Sequence, residues 1–305
     1  MEFRLMHTDK LYLISFASGV AGVDSHTGDG PLSIQHSPFL LEAEKRGVSF
    51  NWDTIIKPTT SLSEHIDESI KKSCEMLAKR VSELTHQRQA YTVVGGDHTC
   101  AIGTWSGVYD ALHARGEIGL IWIDAHMDSH TPETSETGHI HGMPLACLLG
   151  HGYSSLTSIL HHAPKLKPQH VYLIGVRSFE RGEAELLKQL NVRVCFMDEV
   201  KERGFATVFK EAVEHVSAGT IGYGLTIDID SIDPLEAPGV DVPEPDGIHA
   251  KDLSRGLLEI ASDQRLIATE IAEFDPSKDI EHMTEKMIVS FLEIIARGQR
   301  LKIRE

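Results

Sequence analysis

Short apolar runs and stretches with helical spacing of apolar residues alternate along the whole chain. A run of about four to eight apolar residues is typical of a strand that is buried on both faces of a parallel sheet. The pattern predicts strands at residues 11–16, 90–94, 120–123, 170–176, 192–196, 224–229 and 266–272.

Helical periodicity is clearest over residues 61–87, where Ser61 and Glu64 form the pattern of a capping box at the start. The apolar residues of one face are Ile66, Ile70, Leu77, Val81 and Leu84. Further helices are predicted at residues 38–45, 102–115, 144–149, 181–190, 204–216, 251–263 and 280–297. Residues 18–31 are rich in Gly, Asp, Ser and His, which predicts a loop.

The alternation of strands and helices predicts an α/β fold with three layers, in which helices cover both faces of a mostly parallel central sheet. No linker, charge run or shift in composition divides the 305 residues, of which 41% are hydrophobic. We therefore expect residues 1–305 to form a single domain.

Composition excludes some classes of partner. A formal net charge of -16 argues against binding to nucleic acid or to an anionic membrane surface, and no apolar run approaches the length of a membrane span. The four cysteines form no Cys-x-x-Cys pair, which favours free thiols in a reducing compartment. Residues 11–20 could pass for a signal-peptide core, but acidic residues precede them, so we interpret them as a strand and predict a cytoplasmic protein.

Polar side chains follow the apolar run at residues 120–123. Asp124, His126 and Asp128 alternate with Ala125 and Met127. In an extended chain alternate side chains point the same way, so we expect the three to converge. Buried carboxylates are costly unless they are paired or coordinate a metal, which suggests a cation here.

Other predicted strands also end in polar residues, and ligands of such sheets bind beyond the carboxyl ends of the strands. Taken singly, each residue could be a helix cap, a turn former or a core histidine. Together they predict a two-metal site, since two divalent ions would neutralise four carboxylates and acidify a shared water. Carboxylates with imidazoles and no thiolate favour manganese. The predicted ligands are His98, Asp124, His126, Asp128, Asp228 and Asp230.

Four motifs carry a family resemblance: Gly-Gly-Asp-His at residues 95–98, Asp-Ala-His-Met-Asp at 124–128, His-Gly-Met-Pro at 141–144 and Asp-Ile-Asp-Ser-Ile-Asp-Pro at 228–234. Together they resemble the signatures of the arginase/agmatinase (ureohydrolase) family. The loop at residues 131–138 and the segment 175–183 are closer to arginase than to agmatinase.

The resemblance implies a dinuclear manganese hydrolase that splits a small cationic guanidino substrate, with L-arginine giving L-ornithine and urea, and that forms trimers or hexamers. One ion would be bound or bridged by His98, Asp124, Asp128 and Asp230, and His126 and Asp228 would complete the pair. The implied catalytic residues are His141, Glu273 and Asp128. His141 would move protons, and Glu273 would pair with the guanidinium; Glu270 is the rival for that role.

The substrate pocket departs from the family pattern, which leaves the substrate open. Ser135 and Thr137 keep hydroxyls for the α-carboxylate, but His130 and His139 replace the usual asparagines. Glu180 stands where aspartate is commoner, and Val242 removes a hydroxyl. The histidines either reshape the pocket or are loop variation without functional meaning.

Three readings of the function follow from these residues. The first is an arginase. The second is a hydrolase of agmatine, guanidinobutyrate or formimidoylglutamate. The third is a metal-stabilised interaction protein without turnover.

Overall fold

Parallel strands form the central sheet of the computed structural model, which describes residues 10–58 and 65–301. The strands are β1 (Leu11–Phe16), β2 (Phe50–Ile56), β3 (Tyr91–Gly95), β4 (Gly119–Ile123), β5 (Val171–Val176), β6 (Arg193–Phe196), β7 (Tyr223–Asp228) and β8 (Leu266–Ala272). Their order in the sheet is β2-β1-β3-β8-β7-β4-β5-β6, and all neighbours pair in parallel.

Helices flank this sheet, so the predicted α/β fold with a parallel central sheet is confirmed. The helices are α1 (Gly30–Gln35), α2 (Pro38–Lys45), α3 (Ile66–His86), α4 (Cys100–Leu112), α5 (Pro144–Leu148), α6 (Ser154–Thr157), α7 (Arg181–Leu190), α8 (Met197–Arg203), α9 (Phe205–Ser217), α10 (Ala250–Ile260) and α11 (Met283–Leu301).

The four strands that precede the predicted site residues are neighbours in the middle of the sheet, in the order β3-β8-β7-β4. Every residue of these four strands is buried. Burial on both faces explains why they are apolar runs rather than alternating patterns. Their carboxyl ends therefore open side by side at one edge of the sheet.

Some elements were not predicted from the pattern. The edge strand β2 contains Asn51, Trp52 and Asp53 and is only partly buried, so it lacks the apolar run that marked the other strands. The first two residues of α1 fall in a segment predicted as a loop, and α8 is a short helix in which only Met197 and Val200 are buried.

Helix boundaries differ from the predictions at two places. The proposed capping box of Ser61 and Glu64 lies outside the described residues. Ile66 begins α3 and is 50% exposed, so its place on the buried face was predicted wrongly. The last helix begins at residue 283 rather than 280, because Glu281 and His282 have left-handed backbones, with φ of 51° and 58°.

Three observations concern features that were weighed in the sequence. Residues 11–16, within the stretch weighed as a signal-peptide core, form a strand inside the sheet. Over residues 10–58 and 65–301, no helix combines the length and the apolar character needed to cross a bilayer. All four cysteines are free thiols and buried.

Helices α3 and α4 approach closely because two glycines of α4 face α3. A Cβ atom on Gly107 would lie 2.3 Å from the carbonyl oxygen of Ala78, and one on Gly103 would lie 2.9 Å from that of Cys74. This packing fixes the helix that follows β3 and hence the turn that carries His98.

We expect the substitution Gly107→Ala to lower the free energy of unfolding by about 1–3 kcal/mol, since overpacking against backbone outweighs the gain of about 1 kcal/mol in helix propensity. Urea unfolding followed by circular dichroism measures the change. The exposed Lys79→Ala on α3 is the control and should stay within about 0.5 kcal/mol of the parent protein. Equal stability of Gly107→Ala and the parent would contradict this account of the interface.

Candidate metal centre and active-site pocket

Four predicted ligands from three strand ends meet in one buried cluster, made of His98, Asp124, Asp128 and Asp228. The Nδ1 atom of His98 lies 2.9 Å from Asp128 Oδ2, 3.0 Å from Asp228 Oδ2 and 3.5 Å from Asp124 Oδ2. These are separations at which several side chains could share one ion.

A second cluster adjoins the first and consists of Asp124, His126 and Asp230. His126 Nδ1 lies 3.0 Å from Asp230 Oδ2 and 3.5 Å from Asp124 Oδ1. Asp124 thus turns one oxygen to each imidazole. The structure corrects the expected partition, since Asp228 lies with the first cluster and Asp230 with the second. The turn after β7 sends the two side chains to different sides.

The residues after β4 converge by a different route from the one that the sequence suggested. The strand ends at residue 123, and Asp128 has a left-handed backbone with φ of 47°, so the segment does not continue as an extended chain. Asp124 is held in place because its side chain accepts hydrogen bonds from Trp122 Nε1 at 2.8 Å and from His126 N at 2.7 Å. Side-chain bonds to backbone, rather than strand alternation, therefore orient these ligands.

The turn after β7 is also shaped by its own carboxylates. Asp228 Oδ1 accepts a hydrogen bond from Asp230 N at 2.9 Å, and a short 3-10 turn, Ile229–Ser231, replaces the predicted last residue of the strand. Asp230 Oδ1 accepts from Ala125 N at 3.3 Å. These bonds tie the ends of β7 and β4 to each other.

On the side away from the clusters, His98 belongs to a buried chain of hydrogen bonds that continues through Thr226 to Glu270, here called the relay. His98 Nε2 and Thr226 Oγ1 are 3.0 Å apart, and the Thr226 hydroxyl donates to Glu270 Oε1 at 2.8 Å. The Thr104 hydroxyl donates to the other oxygen of Glu270. Because the Thr226 proton points to Glu270, His98 Nε2 donates to Thr226 and its Nδ1 atom faces the cluster. Glu270 is fully buried and lies outside the pocket, so it contacts no substrate there.

Electrostatics shows that the clusters require positive charge. Burial lowers the pKa of His98, but the three surrounding carboxylates outweigh this effect and raise the pKa well above the usual value. Burial and the neighbouring Asp124 raise the pKa of Asp128 to about 6. Burial and other carboxylates raise the pKa of Asp228 well above its usual value. The carboxylates repel one another, and a cation would relieve this repulsion.

The donor set fits a metal ion. His98 Nδ1 and Asp128 Oδ2 are buried and face each other, yet neither has a hydrogen-bond partner among the described residues. At this distance the two atoms need a proton on Nδ1 or a metal ion beside them. Carboxylate oxygens and imidazole nitrogens are ligands that suit Mn²⁺.

One pocket of about 330 Å³ contains the candidate substrate residues together with the exposed parts of both clusters. The predicted substrate-binding side chains all line it: His130, Ser135, Thr137, His139 and Glu180. Val242 also lines it. Of the pocket-lining residues that the structure describes, none is lysine or arginine, so its charged groups are carboxylates and imidazoles.

His141 and Glu273 meet in this pocket. His141 Nδ1 lies 3.2 Å from Glu273 Oε1, which also accepts a hydrogen bond from His98 N at 2.7 Å. Burial lowers the pKa of His141, but the Glu273 carboxylate outweighs it and raises the pKa to about 9. Glu273 Oε2 is buried and has no hydrogen-bond partner among residues 10–58 and 65–301. Glu273, and not its rival Glu270, lines the pocket.

His130 is held on both ring nitrogens. Its Nε2 lies 2.8 Å from Glu180 Oε2 and 3.4 Å from Glu183 Oε2, and its Nδ1 lies 3.1 Å from Thr134 Oγ1. The hydrogen bond to His130 lowers the pKa of Glu180, whereas burial raises the pKa of Glu183 to about 8. We call the part of the pocket around His130 and Glu180 the outer pocket. Its imidazole, that of His130, already contacts two carboxylates.

Several residues of the site were missed from the sequence. Val23, Ser178, Glu183 and Glu244 line the pocket. Arg177 supports it from behind by donating to main-chain carbonyls, including Asp230 O at 2.7 Å. Arg177 directly follows β5, so the rule that polar residues at strand ends form the site could have found it; Val23 has no comparable signal.

Comparisons with known proteins agree with this geometry. The model of the Arginase family matches residues 23–296. An arginase from Brevibacillus brevis is 37% identical over 270 residues, which cover 86% of this chain and 89% of that protein. The structure of the native arginase from Bacillus caldovelox has a TM-score of 0.86 at 30% identity, covering 94% of this chain and 98% of that one.

A third relative, the arginase from Entamoeba histolytica solved in complex with L-ornithine, has a TM-score of 0.85 at 26% identity, covering 95% of this chain and 99% of that chain. The match of the family model extends over both clusters and the pocket. The chain therefore belongs to the arginase family of hydrolases.

Proposed function

We propose that this hydrolase holds two manganese ions and cleaves L-arginine to L-ornithine and urea. One observation carries the proposal: two His/Asp clusters that share Asp124 open into a pocket whose other charged groups are carboxylates and imidazoles. Such a pocket suits a small cation that reacts beside metal ions.

Each cluster would hold one ion. His98, Asp124, Asp128 and Asp228 would bind the first, and His126 and Asp230 would bind the second together with Asp124. Two divalent ions would balance the four carboxylates and lower the pKa of a water molecule, so that a nucleophile is available at neutral pH. The protein itself supplies the ligand side chains, most of which are buried.

The substrate guanidinium would bind beside Glu273. Its Oε2 atom is buried without a partner among the described residues, while Oε1 is held by His98 N and His141. A planar guanidinium offers paired N–H donors to such a carboxylate. This would orient the guanidino carbon toward the metal clusters.

His141 would donate a proton to the departing amine. Because the Glu273 carboxylate raises its pKa to about 9, the imidazole carries a proton at neutral pH. A positioned acid of this kind protonates the leaving nitrogen as the C–N bond breaks.

The outer pocket would bind the amino-acid end of arginine. Glu180 and Glu183 could hold the α-ammonium group, while the hydroxyls of Ser135 and Thr137 and the imidazole of His139 could donate to the α-carboxylate. Formimidoylglutamate carries two carboxylates and fits less well, because no lysine or arginine is found among the pocket-lining residues that the structure describes.

A second candidate is a guanidino compound that lacks one of the two α-substituents of arginine: guanidinobutyrate lacks the amino group, and agmatine lacks the carboxylate. The contact of 2.8 Å between His130 and Glu180 favours guanidinobutyrate, because it engages the carboxylate expected to bind an ammonium group. A reading without turnover has less support, because every predicted ligand is retained together with His141 and Glu273.

Three further expectations stay predictions. They are the trimer or hexamer implied by the family resemblance, the cytoplasmic location and the single domain over residues 1–305. None of them affects the chemistry proposed for the pocket.

The substrate assignment is tested by loading the purified protein with Mn²⁺ and measuring product release from arginine, agmatine, guanidinobutyrate and formimidoylglutamate side by side. We expect urea from arginine, with the highest kcat/KM of the four compounds. A chelator-treated sample is the control. If arginine gives no urea above that control, the arginase assignment is wrong; a preference for agmatine or guanidinobutyrate supports the second candidate.

The role of His141 is tested with His141→Asn. We expect kcat to fall by about 10²–10⁴-fold because the proton donor is lost, with a smaller change in KM. His139→Asn is the matched control, since this imidazole lines the same pocket and its ring lies 5.9 Å from that of His141. It should change KM more than kcat. Equal kcat for His141→Asn and the parent would refute the role.

The relay behind His98 is tested by comparing Thr226→Val with Thr104→Val. Each substitution removes a threonine hydroxyl that donates to Glu270, but only Thr226 also contacts His98. We expect Thr226→Val to weaken Mn²⁺ binding by about 10–100-fold in calorimetric titrations, since the imidazole loses its orienting partner. Thr104→Val should bind Mn²⁺ nearly as the parent does. Equal weakening by both would show that the loss arises from Glu270 alone.

A further inference from the structure

We propose that Asp241 is a positioning residue that clamps residues 18–24 against the active-site pocket and thereby sets the affinity for the substrate. The effect on affinity rests on the proposed function of the pocket, whereas the clamp itself does not. Asp241 lies in the segment after β7, next to Val242, and its neighbour Val240 forms a bridge with Phe274 beyond β8.

The carboxylate of Asp241 is engaged on both oxygens. Oδ2 accepts hydrogen bonds from Val23 N and Asp24 N, both at 3.0 Å, and Oδ1 accepts from Lys278 Nζ at 2.9 Å. The side chain is only 1% exposed. A carboxylate buried to this extent costs free energy unless such donors hold it, so Asp241 and its donors must be ordered together.

Lys278 anchors the clamp to the end of β8. Its ammonium also donates to Asp241 O at 3.2 Å and lies 3.3 Å from Asp275 Oδ2. Asp24, Asp241 and Asp275 come close together here, and Lys278 supplies the cation that they need. The cluster is therefore an internal ion pair rather than a further metal site.

The clamped loop forms part of the pocket wall. Val23 lines the pocket, although its side chain is 62% exposed and has little packing of its own to hold it. The loop approaches the Asp241 carboxylate closely at Gly22, where a Cβ atom would lie 3.1 Å from Asp241 Oδ2. The hydrogen bonds from Val23 N and Asp24 N to Asp241 thus fix the position of Val23.

The inner end of the same loop has a separate anchor. Asp97 Oδ2 accepts from Ala21 N at 3.3 Å and from Ser18 Oγ at 2.9 Å, and Ala21 O accepts from His141 N at 3.2 Å. The support of His141 therefore survives loss of the outer clamp. We infer that removing Asp241 frees Val23 and shifts Val242 while the proton donor stays in place, so binding suffers more than turnover.

The experiment compares Asp241→Ala and Asp241→Asn with the control Asp53→Ala. Asp53 also joins distant segments through an ion pair, with Arg80 at 2.5 and 2.6 Å, but it does not line the pocket. Three quantities are measured on the Mn²⁺-loaded protein: amide hydrogen exchange over residues 18–24, steady-state kcat and KM, and Tm.

For Asp241→Ala we expect faster exchange over residues 18–24, a KM raised about tenfold and a kcat within about twofold of the parent. Asp241→Asn keeps one oxygen for the loop and should show smaller changes in the same direction. Asp53→Ala should lower Tm without changing KM or exchange over residues 18–24.

Unchanged exchange over residues 18–24 in the Asp241 variants would overturn the clamp. Faster exchange with a lower kcat and an unchanged KM would overturn its link to affinity. If Asp241→Ala does not fold, amide exchange and steady-state kinetics are measured on Asp241→Asn and Lys278→Met instead. If the parent protein is inactive on every guanidino compound, the proposed function fails, while the exchange measurements still decide whether Asp241 holds the loop.

Discussion

The burial of like charges at one edge of the sheet is the constraint on which the site depends. Asp124, Asp128, Asp228 and Asp230 are nearly or fully buried within a few ångströms of two imidazoles. Carboxylates in such surroundings are stable only with compensating positive charge. The raised pKa of Asp128 and the orphaned Nδ1 of His98 are two signs of the same demand.

The surrounding protein orients these charges instead of neutralising them. Backbone N–H groups of residues 125, 126 and 230 donate to the aspartates, and the Trp122 indole donates to Asp124. Behind His98, the hydroxyl of Thr226 connects the imidazole to the buried Glu270. Such outer partners fix the direction of each lone pair before an ion arrives, which lowers the cost of binding it.

In the proposed function, substrate recognition would rest on loops that the same scaffold supports. Glu273 connects the two tasks, because one of its oxygens contacts both His98 N and His141 while the other is left for a ligand. At the outer end of the pocket, His130 is engaged with Glu180, and Asp241 and Lys278 fix the loop that carries Val23. In the proposed function, the metal ligands and the residues of the outer pocket are therefore largely separate sets, with Glu273 between them.

The sequence alone determined the alternation of strands and helices and the residues at the strand ends, because burial and side-chain periodicity leave a local record in the chain. It missed the edge strand β2, which is half-exposed, and it gave a wrong path for residues 124–128, since the left-handed backbone of Asp128 leaves no mark on the apolar pattern. Only the tertiary structure decided that β3, β8, β7 and β4 are neighbours, that Asp228 joins His98 while Asp230 joins His126, and that Asp241 reaches the loop at Val23. These arrangements depend on strand order and on contacts between residues far apart in the chain, and no local pattern of residues specifies them.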